Sequence, residues 1–241
     1  MWRNPLLLAA CALSIAIFAV SAAADDYKDC AQSADPDLSI AACSAILERG
    51  PEPTANRIVA YVNRGTNYLN KGEFDRAAAD LSRAIELNPN LASAYYNRGN
   101  AYYGMGDYDR AIADYNRAIE LNPNFAFAYN NRAAAHINKN DYDRAIADLN
   151  RAIELDPKYA DAYNTRAWAY FKTGKAAEAL PDVERSLELR PDDAHALNTR
   201  GHIFEVLGRR EEAIADYRHA LSKNANSQDC KDALTRLGVA P

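Results

Sequence analysis

Between residues 92 and 125 the apolar and small residues fall on two helical stripes. Tyr95, Gly99 and Tyr102 make the first, and Ala111, Tyr115, Ala118 and Leu121 the second, with Gly104-Met105-Gly106 between them. Spacings of three and four residues bring side chains to one face of an α-helix. Asp107 stands where a carboxylate can cap the second helix. Asn122-Pro123 ends it, because proline disfavours helical geometry in the residue before it. The segment predicts two antiparallel helices joined by a tight turn. Gly99 and Ala111 mark where these helices approach most closely, and the tyrosines fill the space around them.

The same pattern recurs every 34 residues. Pro89, Pro123, Pro157 and Pro191 share one register, and Gly72, Gly106, Gly174 and Gly208 share a second, which Asn140 completes. Gly65, Gly99 and Gly201 share a third with Ala133 and Ala167. The words DYDRAIAD (107–114 and 141–148) and AIELNPN (84–90 and 118–124) repeat outright. One such hairpin cannot bury its apolar stripe, so several must stack. Full repeats are expected at 58–91, 92–125, 126–159, 160–193 and 194–227. A degenerate capping hairpin is expected over 25–57, where 35–51 echoes 107–123, and a cap helix with its tail over 228–241. Pro181, inside a second helix, should remove one hydrogen bond and kink that helix.

The series Tyr95, Gly99, Tyr102, Gly106, Ala111, Tyr115, Ala118 and Pro123 resembles the pattern of the tetratricopeptide repeat (TPR) family, and the leader described below points to an exported bacterial type. The resemblance implies an all-α fold, an α-solenoid in which helix-turn-helix repeats wind into a right-handed superhelix. It also implies a non-catalytic scaffold or adaptor that binds a partner peptide or helix in a concave groove lined by the first helices. Projected onto this chain, that groove takes Asn63 with Val62 and Thr66, then Tyr96, Asn97, Asn100 and Tyr103. It continues with Phe127, Asn130, Asn131 and Asn138, then Asn164, Trp168, Phe171 and Lys172, and ends with His195, Asn198, His202 and Glu205. Amide side chains both donate and accept, so an asparagine ladder can hold an extended backbone while the aromatics take its side chains. Family members that clamp a chaperone's C-terminal carboxylate use lysine and arginine. Val62, Asn130 and Asn131 offer no such cations, so that ligand class is not expected.

Charge adds a second ladder. Arg64, Arg98, Arg132, Arg166 and Arg200 lie on the first helices, with Asp80, Asp114, Asp148, Asp182 and Asp216 sixteen residues on. A guanidinium matches a carboxylate bidentately, so these pairs read as structure, with a basic groove for an acidic ligand as the alternative. Arg83 with Glu86, and its copies one period apart, read as a solvated outer face. The formal net charge of −5 leaves no basic excess for nucleic acid.

The amino end is a leader. Arg3 precedes an apolar run from Leu6 to Val20, and Ser21-Ala22-Ala23-Ala24 supplies small residues before Asp25, the layout of a cleaved signal peptide. A retained anchor, or a lipid on Cys11 within Leu8-Ala9-Ala10-Cys11, is the alternative, and would suit an envelope assembly factor that recruits cell-wall or secretion enzymes. Export, most simply to a bacterial periplasm, permits disulfides. Cys30 and Cys43 fall in the two helices of the degenerate hairpin and are expected to be bonded, leaving Cys230 packed in the cap. A redox- or metal-responsive protein is a further reading of these cysteines and of His195 and His202. No catalytic, nucleotide or metal motif appears, so neither enzyme activity nor a cofactor is expected.

Overall fold

The computed structural model describes residues 25–240, and the leader reading at 1–24, with Cys11, lies outside the described residues. Among the described residues every regular element is helical. The order is α1 (25–32), α2 (Pro36–Glu48), α3 (Thr54–Asn70), α4 (Phe74–Leu87), α5 (Ala92–Gly104) and α6 (Tyr108–Leu121). It continues with α7 (Ala126–Asn138), α8 (Tyr142–Leu155), α9 (Ala160–Lys172), α10 (Ala176–Leu189), α11 (Ala194–Val206), α12 (Arg210–Lys223) and α13 (Gln228–Arg236). Helices pair as hairpins, α3 with α4 through α11 with α12, and the chain is an all-α solenoid of helix-turn-helix repeats. It divides into two compact units that meet between Leu121 and Asn122.

Each hairpin turn uses the same device. Gly72, Gly106, Gly174 and Gly208 have φ of 73°, 77°, 77° and 74°, and Asn140 reaches 60° in the same register. The next residue then bonds back around the turn. The N–H of Glu73 reaches the carbonyl of Tyr68 at 2.8 Å, and Asp107 reaches Tyr102 at 2.9 Å. These left-handed residues close the first helix by satisfying its terminal carbonyls, which is why the glycines keep strict period. Asn140 is the residue that tolerates this conformation best after glycine.

The third glycine register has a packing reason. A Cβ on Gly99 would lie 2.7 Å from the Tyr115 ring, and one on Gly201 would lie 2.5 Å from Tyr217. Where alanine replaces glycine, at 133 and 167, the facing residue is the smaller Leu149 or Val183, and all four are fully buried. Bulk is thus traded across the contact in four of the five hairpins, while Gly65 faces a leucine, Leu81, which a Cβ there would meet at 2.9 Å. Pro181 leaves α10 continuous. The bond it removes would have ended on the carbonyl of Ala177, an exposed residue where water can substitute.

Five arginines tie the helices together. Arg98 grips Asp114 with Nε–Oδ2 at 2.7 Å and Nη2–Oδ1 at 2.8 Å, and its Nη1 reaches back to Ser82 Oγ on α4 at 3.0 Å. Arg64 holds Asp80 in the same fork and reaches Ser44 at 2.8 Å, while Arg166 holds Asp182 and reaches Asn150 at 2.7 Å. Arg132 with Asp148 and Arg200 with Asp216 repeat the fork. The carboxylates are buried, so removing one partner would strand the other in low dielectric.

Candidate functional site

In the first unit α3 and α5 lie side by side, and their outward positions carry no charged side chain among Asn63, Thr66, Tyr96, Asn97, Asn100 and Tyr103. Much of this face is already bonded within the protein. Asn97 donates to Thr66 Oγ1 at 3.2 Å, linking α5 to α3, and Asn100 Oδ1 accepts from the Tyr115 hydroxyl at 2.8 Å. Tyr96 packs 6.1 Å from the Tyr115 ring, and Tyr103 meets Tyr108 edge-on at 5.5 Å.

Asn63 is occupied by the neighbouring hairpin. Its amide donates to the carbonyl of Cys30 at 3.1 Å, and Ser39 Oγ donates to the same oxygen at 3.1 Å. Cys30 lies in the last turn of α1, where carbonyls have no partner within the helix, so these side chains cap it. Asn67 in turn donates to Ser39 Oγ at 2.9 Å, and the Cys30–Cys43 disulfide joins α1 to α2.

In the second unit α7, α9 and α11 adjoin. Phe127 is 51% exposed and meets Tyr159 edge-on at 4.8 Å and Phe125 at 6.5 Å. Trp168 stacks on Phe171 with centroids 5.2 Å apart, and His202 lies 5.9 Å from both rings. His195 is exposed at the start of α11, where the Asp193 carboxylate accepts from its backbone N–H at 2.9 Å.

Three asparagines occupy one register here, and their fates differ. Asn130 donates to Asn131 Oδ1 at 3.1 Å, but its own carbonyl oxygen is buried without a partner, as is that of Asn164. Asn198 is satisfied at both ends, donating to Asp229 Oδ2 at 2.7 Å and accepting from the Cys230 thiol at 3.2 Å. One and two periods before Cys230 stand Ala196 and Ala162, both fully buried. A methyl thus stands in the register where a thiol meets Asn198, which accounts for the two orphaned oxygens.

The cap helix α13 completes the end of this face. Asp229 Oδ2 accepts from His202 Nε2 at 3.0 Å, and His202 Nδ1 meets the Tyr217 hydroxyl at 3.0 Å. Tyr217 also lies 3.1 Å from Glu205 Oε2, and Arg236 binds Glu205 with two contacts of 2.9 Å. The Arg236 hydrogen bonds hold the Glu205 carboxyl below the usual range. Burial works against ionisation of Asp229, but hydrogen bonds from His202 and Asn198 outweigh it and lower its value. Burial pushes the phenol of Tyr217 and the thiol of Cys230 upward. Among the described residues no group of three or more histidine, cysteine, aspartate or glutamate side chains is arranged to hold a metal. No described helix is long and apolar enough to cross a membrane.

Sequence profiles of the tetratricopeptide repeat match residues 65–106, 92–125, 114–147, 132–197 and 194–226 in overlapping succession. The chain belongs to the TPR family. Solved TPR-like structures align along most of it. A crystal structure of MamA is 28% identical, covering 67% of this chain and 94% of its own, with a TM-score of 0.57. A tetratricopeptide repeat protein from Parabacteroides merdae is 25% identical, covering 84% and 78%, with a TM-score of 0.67. YrrB, described as a TPR protein with an unusual peptide-binding site, is 22% identical, covering 76% and 98%, with a TM-score of 0.57, and shows the shared fold. No curated protein sequence matches the chain significantly.

For a TPR protein, the residues that sequence reasoning missed are those supplied by the flanking helices. Ser39 on α2, and Asp229, Cys230 and Arg236 on α13, all engage first-helix faces. Their signal was present in the register: Asp229 follows His195 by 34 residues, so α13 occupies the place of another first helix.

Proposed function

We propose that this protein is a non-catalytic interaction module that holds a segment of a partner protein, extended or helical, against its first-helix faces. The observation that carries this reading is the separation of roles on the first helices. Gly99 and Gly201 face inward on tyrosine, whereas Trp168, Phe171, Phe127 and the asparagines are displayed on the other side, half-buried or exposed apart from Asn130. Aromatic side chains are frequent anchors of such recognition, and amides can bond a partner's backbone. The peptide-binding site described for YrrB is a precedent at the level of the fold. The test is a double variant, Asn97→Ala with Trp168→Ala, used in crosslinking pull-down from the native extract. Loss of the partner with the helical melt preserved is expected, and unchanged capture would sink the groove reading. We place the protein outside the cytoplasm, on the strength of the leader and of a disulfide that an oxidising compartment would keep. A mature mass beginning at Asp25 is the expected result.

A further inference from the structure

We infer that the second unit selects an extended partner segment carrying an aromatic residue and, two positions along, a basic residue that points toward α13. This rests on the interaction reading above and adds the chemistry of the ligand. Three observations converge. The first is that the polar atoms of the His202 ring are both spent, on Asp229 and Tyr217, so beside Trp168 and Phe171 it offers ring surface only. The surface formed by these three rings suits an aromatic side chain.

The second observation is the state of the two carboxylates on this face. Glu205 has both oxygens bound by Arg236, whereas Asp229 is engaged through Oδ2 alone and its side chain is 57% exposed. Among the described residues no lysine or arginine lies within 4.0 Å of Asp229, and Arg236, whose charge reaches it, is bound to Glu205, so Asp229 is the carboxylate available to an incoming cation. At the other end Lys172 lies 5.6 Å from the Trp168 ring centre. The face therefore runs from a cation on α9 to an anion on α13, which sets the direction of the segment. Side chains two apart on an extended chain point the same way and are separated by about 7 Å. That step suits the passage from the rings to Asp229, one hydrogen bond beyond His202.

The third is Asn164, one helical turn before Trp168. Its carbonyl oxygen is buried with no donor, so the amide end that remains for a ligand is the N–H₂, which fits a backbone carbonyl of an extended segment.

The experiment is fluorescence anisotropy of the full chain with fluorescein-labelled glycine–serine peptides. One carries phenylalanine followed two positions later by arginine, a second has glutamate for the arginine, and a third has alanine for the phenylalanine. The arginine peptide is expected to bind at least about 3-fold more tightly than the glutamate peptide at low salt. Asp229→Asn, which keeps an acceptor for Asn198 and His202, is expected to abolish that preference while the chain stays folded at the assay temperature, its melt lowered only by the lost charge at α13. Trp168→Ala is expected to lose binding that Trp168→Phe retains. If arginine and glutamate peptides bind equally but remain sensitive to Trp168→Ala, the charge selection is overturned and the interaction reading stands. If no peptide binds and the pull-down above is also indifferent to the double variant, both fall.

Discussion

The two ends of the array are sealed by different chemistry. At the amino end α1 is bonded covalently to α2 through Cys30–Cys43, and its last turn is capped by Asn63 and Ser39. At the carboxy end α13 is held by side-chain contacts, Asp229 and Cys230 to Asn198, Asp229 to His202, and Arg236 to Glu205. Both serve one need, since the apolar face of the adjoining hairpin must be covered. The disulfide between α1 and α2 stabilises the pair by restricting the unfolded chain. Helix α13 buries Cys230, Ala233 and Leu234, and leaves the rest to charge and hydrogen bonding. One end should therefore answer to reductant and the other to acid and salt.

The largest expected effect is at the amino end. Cys43→Ser should cost about 3 kcal/mol for opening a loop of this length, in the chain-entropy account. Denaturant melts with and without a dithiol reductant should show the loss in the parent chain and none in the variant. A reductant-insensitive parent would mean that the disulfide adds little to this seal.

A smaller effect is expected at the carboxy end. Arg236→Ala should cost about 1 kcal/mol or less, because that ion pair is half in solvent. Its pH dependence is the sharper test. The folded values of Glu205 and Asp229 are lowered, so their contribution is present above the unfolded values near ~4 and is lost as pH falls through the folded ones. Melts of the parent should weaken on acidification through that window, and Arg236→Ala should flatten the slope. An identical acid profile in the variant would remove the carboxy end from the argument.

A gain of similar size calibrates both. Ser186 is fully buried with its hydroxyl unpartnered, where Ala84, Ala118, Ala152 and Ala220 stand in the same register. Ser186→Ala should add about 1 kcal/mol, since it removes an unsatisfied polar group from the core. The gain should be the same in reductant and in acid, because α10 belongs to neither seal. Hydrogen–deuterium exchange of α10 would locate it.

The fold was legible because its causes are local to one period. A residue that must adopt positive φ, a glycine that must admit Tyr115, and a carboxylate that must meet an arginine sixteen residues earlier each leave a mark at fixed spacing. The candidate site was legible only in outline. Counting along a helix put Asn63, Asn97 and Asn198 on the first-helix faces, yet what each amide bonds depends on the residue opposite, about one period away. The Cys30 carbonyl and Thr66 are two different answers to the register of Asn63 and Asn97, and Asp229 answers Asn198 in the register beside it. The orphaned oxygens of Asn130 and Asn164 follow from alanines at 162 and 196 that look unremarkable in the sequence.

The back-reaching N–H of the arginine ladder bears on how such a chain can change its length. Arg64, Arg98 and Arg166 reach Ser44, Ser82 and Asn150, acceptors that differ in kind but sit in equivalent places. Excising or duplicating a whole period would present each guanidinium with another small polar acceptor at the same distance. Insertions within a helix would strand a charge against a mismatched surface, whereas the loop before α3 carries four extra residues and keeps the contact, Arg64 and Ser44 being 20 residues apart where Arg98 and Ser82 are 16. The ladder thus favours growth and loss in whole hairpins and confines fractional steps to the loops.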